Sequence, residues 1–174
     1  MRPRLPHASI ALFALATSIA LVPAPVRATQ IWSGYTFAFS KAKNADWTLP
    51  ANQDHITGDV ALTRDNTHGI YNIAMESAYG PNSPAGTEWA TGLAANHASL
   101  TFAPWVTWAA SCPPCTVGIQ ACLHLIPDDI YVDIKFDSWG ESIPGGGAFA
   151  YHRGQPQVVP TVPASWGALK LHYR

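Results

Sequence analysis

Cys112-Pro-Pro-Cys115, Cys122 and His124 lie close together in the second half of the chain and carry its most reactive side chains. Three chemistries suit them. In an oxidising compartment a disulfide is the default, formed within Cys112, Cys115 and Cys122 and leaving one thiol over; spacing alone does not choose the partners. Three thiolates and an imidazole are also zinc ligand types, but the spacing is compact and exported thiolates compete with oxidation. A thioredoxin-type redox pair needs its first cysteine at a helix N-terminus, and nothing after Cys115 has a helical pattern.

Carboxylates form the second group. Asp128, Asp129, Asp133 and Asp137 are the densest acidic cluster, and oxygen ligands near a turn could hold calcium. Turn-forming and solubilising roles account for them more simply, and no cofactor is required. Glycoside hydrolysis would need two carboxyl groups facing each other across a cleft; Glu76, Glu88 and Glu141, with Asp129 or Asp54, are the candidates. Glu88 stands out because Trp89 follows it, after a Gly/Pro-rich loop. His55, His68, His97, His124, His152 and His172 have neither His-x-His nor His-Glu-x-x-His spacing, and no Gly-x-Ser-x-Gly elbow occurs. His124, inside an apolar run, reads as a core histidine.

The chain that must position these groups opens with Arg2 and Arg4, an apolar run from Ile10 to Val22, and Val26-Arg27-Ala28. That order predicts a signal peptide over 1–28, export, and a mature start near Thr29 or Gln30. The apolar run has about the length of a signal-peptide core and is short of the roughly 20 residues a membrane-spanning helix needs; the few residues after Trp166-Gly167 are too few for a span as well, so none is expected in the mature chain. Without Arg2, Arg4 and Arg27, seven Lys and Arg face eleven Asp and Glu, a formal charge of −4. Basic side chains are scattered, which argues against nucleic acid as a partner.

Apolar/polar alternation recurs between clusters of Gly, Pro, Asn and Asp, the pattern of short strands joined by turns. Ile130 to Asp137 is the clearest: Ile130, Val132, Ile134 and Phe136 share one face, while Tyr131, Asp133, Lys135 and Asp137 share a face read as wet. Tyr35 to Ser40, Ile56 to Thr63, Gly69 to Ser77, Ser99 to Phe102, Cys122 to Ile126 and Ala148 to Arg153 read as further strands, and Pro127-Asp128-Asp129 as a hairpin turn within Leu123 to Trp139. The expectation is an all-β single domain over 29–155, an antiparallel β-sandwich or jelly roll, followed by a Pro-rich tail over 156–174.

Asp54-His55-Ile56-Thr57, Leu62-Thr63-Arg64, Gly69-Ile70-Tyr71-Asn72, Ser83-Pro84-Ala85-Gly86-Thr87-Glu88-Trp89-Ala90 and Leu123-His124-Leu125-Ile126 together resemble a family of secreted bacterial all-β domains. Asp128-Asp129-Ile130-Tyr131, Phe136-Asp137-Ser138-Trp139 and Gly145 to Arg153 extend the likeness over most of 30–155. Members often precede a C-terminal sorting and anchoring tail. The resemblance implies an extracellular location and a β architecture, and brings no activity with it. Val159-Pro160-Thr161-Val162 with Trp166-Gly167-Ala168-Leu169 is similar to the start of such a tail, in degenerate form; a plain Pro-rich linker or terminal strand is the alternative.

Seven tryptophans, all after residue 28, suggest both core packing and exposed stacking platforms. The sequence therefore predicts a secreted, non-catalytic β module that binds a glycan or associates with a cell surface or matrix. Trp89 and Trp139 are the expected stacking residues, with Glu88 and Asp129 accepting hydroxyl hydrogens. The alternatives are a small extracellular polysaccharide hydrolase using Glu88 and a second carboxylate, and a purely structural extracellular domain.

Overall fold

A computed structural model describes residues 28–157, so the expected leader upstream of Ala28 and nearly all of the expected tail lie outside the described residues. Nine strands account for most of the regular structure: β1 (Gln30–Trp32), β2 (Phe37–Lys41), β3 (Asp54–His55), β4 (Ala61–Arg64), β5 (Ile70–Asn72), β6 (Thr87–Thr91), β7 (Gln120–Leu125), β8 (Ile130–Trp139) and β9 (Phe149–Arg153). Helices are short, α1 (Trp105–Trp108) and α2 (Ser142–Gly145) spanning one turn each. The all-β expectation holds.

Strands β6 to β9 form an antiparallel meander, β2 adds to its β9 edge, and β1 pairs with β8 in parallel. Strand β8 is long enough to hold two partners along one side, β1 at Ile130 to Val132 and β9 from Ile134 onward, with a bulge between Phe136 and Ser138. Between β2 and β6 the chain builds a smaller antiparallel sheet, β3-β4-β5. One core joins the two: Leu62 and Ile70 from the small sheet, with Ile56 and Val60 from its β3–β4 turn, pack with Trp89, Leu123, Val132, Phe136 and Tyr151 from the large one.

Local chemistry explains the connections. Pro127 lies in a 3-10 turn, Ile126–Asp128, that ends on Asp129 with φ 52, a left-handed geometry in which Asp is among the tolerated residues. This closes the expected β7–β8 hairpin. The Gly-rich segment after β8 packs against neighbouring backbone, and a Cβ at Gly147 (φ 68) would meet the Asp65 carbonyl at 1.9 Å. Two cations hold this segment: Arg64 Nη1 donates to the Gly140 and Ala148 carbonyls at 2.8 and 3.1 Å, and Lys41 Nζ to that of Gly147 at 3.4 Å.

Asp133 corrects the picture of a wet face on β8, for its exposure is only 2%. The segment after β6 folds back over that face. Ala94 N–H donates to Asp133 Oδ1 at 2.7 Å and Gly34 N–H to Oδ2 at 2.8 Å, so the carboxylate replaces water for two loop amides. Of the expected strands, Ser99 to Phe102 is not extended pairing beyond the Trp89↔Ala103 bridge. Gly69 to Ser77 shortens to β5, because the Asn72 side chain accepts from the Ala61 and Ala74 amides and donates to the Asp59 and Ala85 carbonyls, turning the chain.

The disulfide joins Cys112 to Cys115. Cys122 is free and fully buried on β7, and burial, with the Asp133 charge adding to it, pushes its thiol up to about 12. Thiolate is the reactive form. The native protein should therefore show no thiol reactive toward iodoacetamide at pH 8 and one after denaturation. A thiol alkylated at an ordinary rate in the native state would contradict this environment.

Candidate functional site

Strand alternation sends neighbouring residues of β6 to opposite sides. Trp89 points into the core with no exposed surface, while Glu88 lies on the other face. In register across that face stand Glu88 on β6, His124 on β7 and Tyr131 on β8. His124 Nδ1 lies 2.8 Å from Glu88 Oε1, which makes Nδ1–H the donor because the carboxylate can only accept. The imidazole stacks on Tyr131 at 4.1 Å with 1° between planes; His97 and Phe102 also pack on Tyr131.

Asp129, from the β7–β8 turn, reaches the other side of the same ring, its Oδ1 3.4 Å from His124 Nε2 without hydrogen-bond geometry. Side-chain exposures of 35% for Glu88, 40% for Asp129 and 12% for His124 describe two half-open carboxylates around a nearly covered imidazole. The two expected acceptors are thus brought to one place by a residue read as a core histidine. They address opposite nitrogens of one ring and do not converge on a common point. Among the described residues no group of three or more His, Cys, Asp or Glu is arranged to hold a metal ion.

Trp139, at the end of β8, lies elsewhere. It lines a cleft of about 370 Å³ with Arg64, Thr67, His68, Gly69, Tyr79, Pro113, Pro114 and Glu141. The Arg64 guanidinium sits over the Trp139 ring, 4.1 Å from its centroid, and Trp105 stacks on it at 5.8 Å. Burial brings Arg64 down to about 10, so it remains a cation at neutral pH. Opposite chemistry comes from Glu141, the one carboxylate among the lining residues. Tyr79 and His68 stack at 5.6 Å with 11° between planes. Gly69 makes room for that pair: a Cβ there would meet Tyr79 Cε2 at 2.7 Å.

The cleft was hard to foresee because its walls come from four separate segments. The loop containing Tyr79 is ordered by Glu76, whose Oε2 accepts from the Asn72 and Ala85 amides at 2.8 Å each and whose Oε1 takes the Ser83 hydroxyl. The opposite wall, Pro113 and Pro114, belongs to the four-residue disulfide loop. Trp89, expected as a stacking platform, is instead a core residue, since it occupies an inward position of a central run of pairing and not the loop before it.

No family model, no curated protein and no solved structure matches the chain. The geometry alone carries the functional reading.

Proposed function

We propose that the chain is a non-catalytic extracellular β module that binds a glycan in the Trp139–Tyr79 cleft. The carrying observation is the lining itself: aromatic rings of Tyr79, His68 and Trp139 beside the polar Arg64, Thr67 and Glu141, with Arg64 at the end of β4, Trp139 at the end of β8 and the others on adjoining loops. Sugar rings present CH faces and hydroxyl edges, which suit aromatic surface and planar polar groups respectively. The Cys112–Cys115 disulfide suits an oxidising, extracellular setting. Among the described residues no helix is long and apolar enough to cross a membrane.

Paired-carboxylate hydrolysis draws less support. Glu141 has no carboxylate partner in the cleft, Asp54 is consumed by a buried ion pair, Glu76 by loop amides, and the imidazole of His124 stands between Glu88 and Asp129. The test is a glycan array with the secreted protein, followed by titration of any hit. Tyr79→Ala should weaken binding about tenfold, or ~1.4 kcal/mol, and Gly69→Ala should weaken it by displacing the Tyr79 ring. Absence of binding to every class, or affinity indifferent to both changes, would reject the cleft as a glycan site.

A further inference from the structure

Thr29 and Gln30 make the first hydrogen bonds of the described chain, and both end on Asp129. Thr29 Oγ1 donates to Asp129 Oδ2 at 2.5 Å, and Gln30 N–H donates to the Asp129 carbonyl at 3.0 Å. From that anchor β1 runs parallel to β8, in the register Gln30↔Ile130, Ile31↔Tyr131 and Trp32↔Val132, and Trp32 is buried in the core. The fit at the far end is tight, since a Cβ at Gly154 would lie 2.0 Å from the Trp32 carbonyl. The strand that completes this side of the sheet is thus tied at Gln30 to the Asp129 backbone, and by the residue before it, Thr29, to the half-exposed Asp129 carboxylate.

Val26-Arg27-Ala28 is the pattern after which a processing endoprotease cuts. Hydrolysis there adds water across the Ala28–Thr29 amide, leaving a carboxylate on Ala28 and an ammonium on Thr29. That ammonium is three bonds from the Thr29 hydroxyl already bound to Asp129. We propose that Asp129 is the receptor for the α-ammonium created by cleavage between Ala28 and Thr29, so that processing itself seals β1 onto β8. The inference is independent of the glycan reading and rests on the leader expected over 1–28.

Charge placement favours it. Asp129 is the carboxylate bonded to Thr29, the buried Asp128 precedes it, and Glu88 stands beyond His124; His97 and Tyr131 pack on the same group, and none of these named residues is a Lys or Arg. An opposite charge at this range stabilises the protonated amine. Before cleavage the same position is a neutral amide, so the ion pair exists only in the processed chain. The left-handed backbone of Asp129 (φ 52) is one that Asn also adopts, which makes Asp129→Asn a clean removal of charge.

N-terminal sequencing of the exported protein should begin at Thr29. NMR titration should place its α-amino midpoint at least half a unit above the usual range of about 7.7–8.0, and Asp129→Asn should return it to that range. Carbamylation of the α-amino group, which keeps every side chain, should speed amide exchange in β1 about tenfold without changing exchange in β7. A mature end other than Thr29, a midpoint in the ordinary range, or β1 exchange indifferent to carbamylation would each overturn the proposal.

Discussion

Arg153→Met is expected to destabilise the protein by about 3–5 kcal/mol, the scale of breaking a buried ion pair from one side. Arg153 grips Asp54 with two bonds, Nε to Oδ2 and Nη2 to Oδ1, each 2.7 Å. Tyr151 Oη donates to the same Oδ2 at 2.6 Å, Arg153 Nη1 donates to the Gly154 carbonyl, and Phe37 lies 4.2 Å from the guanidinium carbon. Asp54 belongs to β3 and Arg153 to β9, so this bidentate pair fastens the small sheet to the large one. Removing the cation leaves a carboxylate with negligible access to water. Burial, with the Asp54 charge reinforcing it, drives the Tyr151 phenol well above its ordinary value, so the phenol stays protonated and remains a donor to the carboxylate. Urea unfolding followed by far-UV circular dichroism measures the loss. Arg153→Met combined with Asp54→Leu should recover much of it, because no buried charge remains unpaired. A loss below 1 kcal/mol for the single change would contradict the geometry.

Trp89→Ala should cost a similar amount, about 3–5 kcal/mol, through lost burial and the cavity left behind. Its indole packs edge-on to Trp105 at 4.8 Å and stacks with Trp108 at 5.7 Å and Phe136 at 6.1 Å; its Nε1–H donates to Thr87 Oγ1 at 3.2 Å. The backbone of Trp89 also exchanges two hydrogen bonds with Ala103, so the residue couples β6 to the segment leading into α1. Thermal unfolding should shift down strongly, near-UV circular dichroism should lose intensity, and Trp89→Phe should fall between the two. A mutant as stable as the parent would mean that the aromatic cluster closes without it. Any ligand affinity lost in Trp89→Ala is then a consequence of unfolding, and Tyr79→Ala is the better probe of binding.

Much of the large sheet was legible because β7, the turn at Pro127 and β8 follow local rules: alternation of Ile130, Val132, Ile134 and Phe136, and turn residues between. Four things were not. Trp89 follows a Gly/Pro loop and looked like part of its rim, although Thr87-Glu88-Trp89 is already alternating; counting that period one residue earlier would have placed Glu88 outside and Trp89 inside. Asp133 occupies a polar position by alternation, but which face meets water depends on the segment after β6, whose return path no local pattern encodes. His124 meets Glu88 and Asp129 through strand register, a long-range property. The same holds for Trp139, Tyr79 and Pro113, which share a cleft across intervals that a single sequence does not connect.

The shared edge of β8 has a kinetic meaning. Gln30 waits for Ile130, and Phe37 waits for Arg153, so the first strand of the described chain finds its partner only once β8 has been made and the second only once β9 has. Pairings of such separation close late, since the loop entropy is spent before any contact returns it. A chain emerging from its N-terminal end would carry β1 and Trp32 unpaired until residue 132 is free, and β2 and Phe39 until residue 153 is. Such a topology leaves the first two strands of the described chain extended while β3-β4-β5 and β6-β7 pair near at hand, and confines completion of the large sheet to the side on which β8 and β9 arrive.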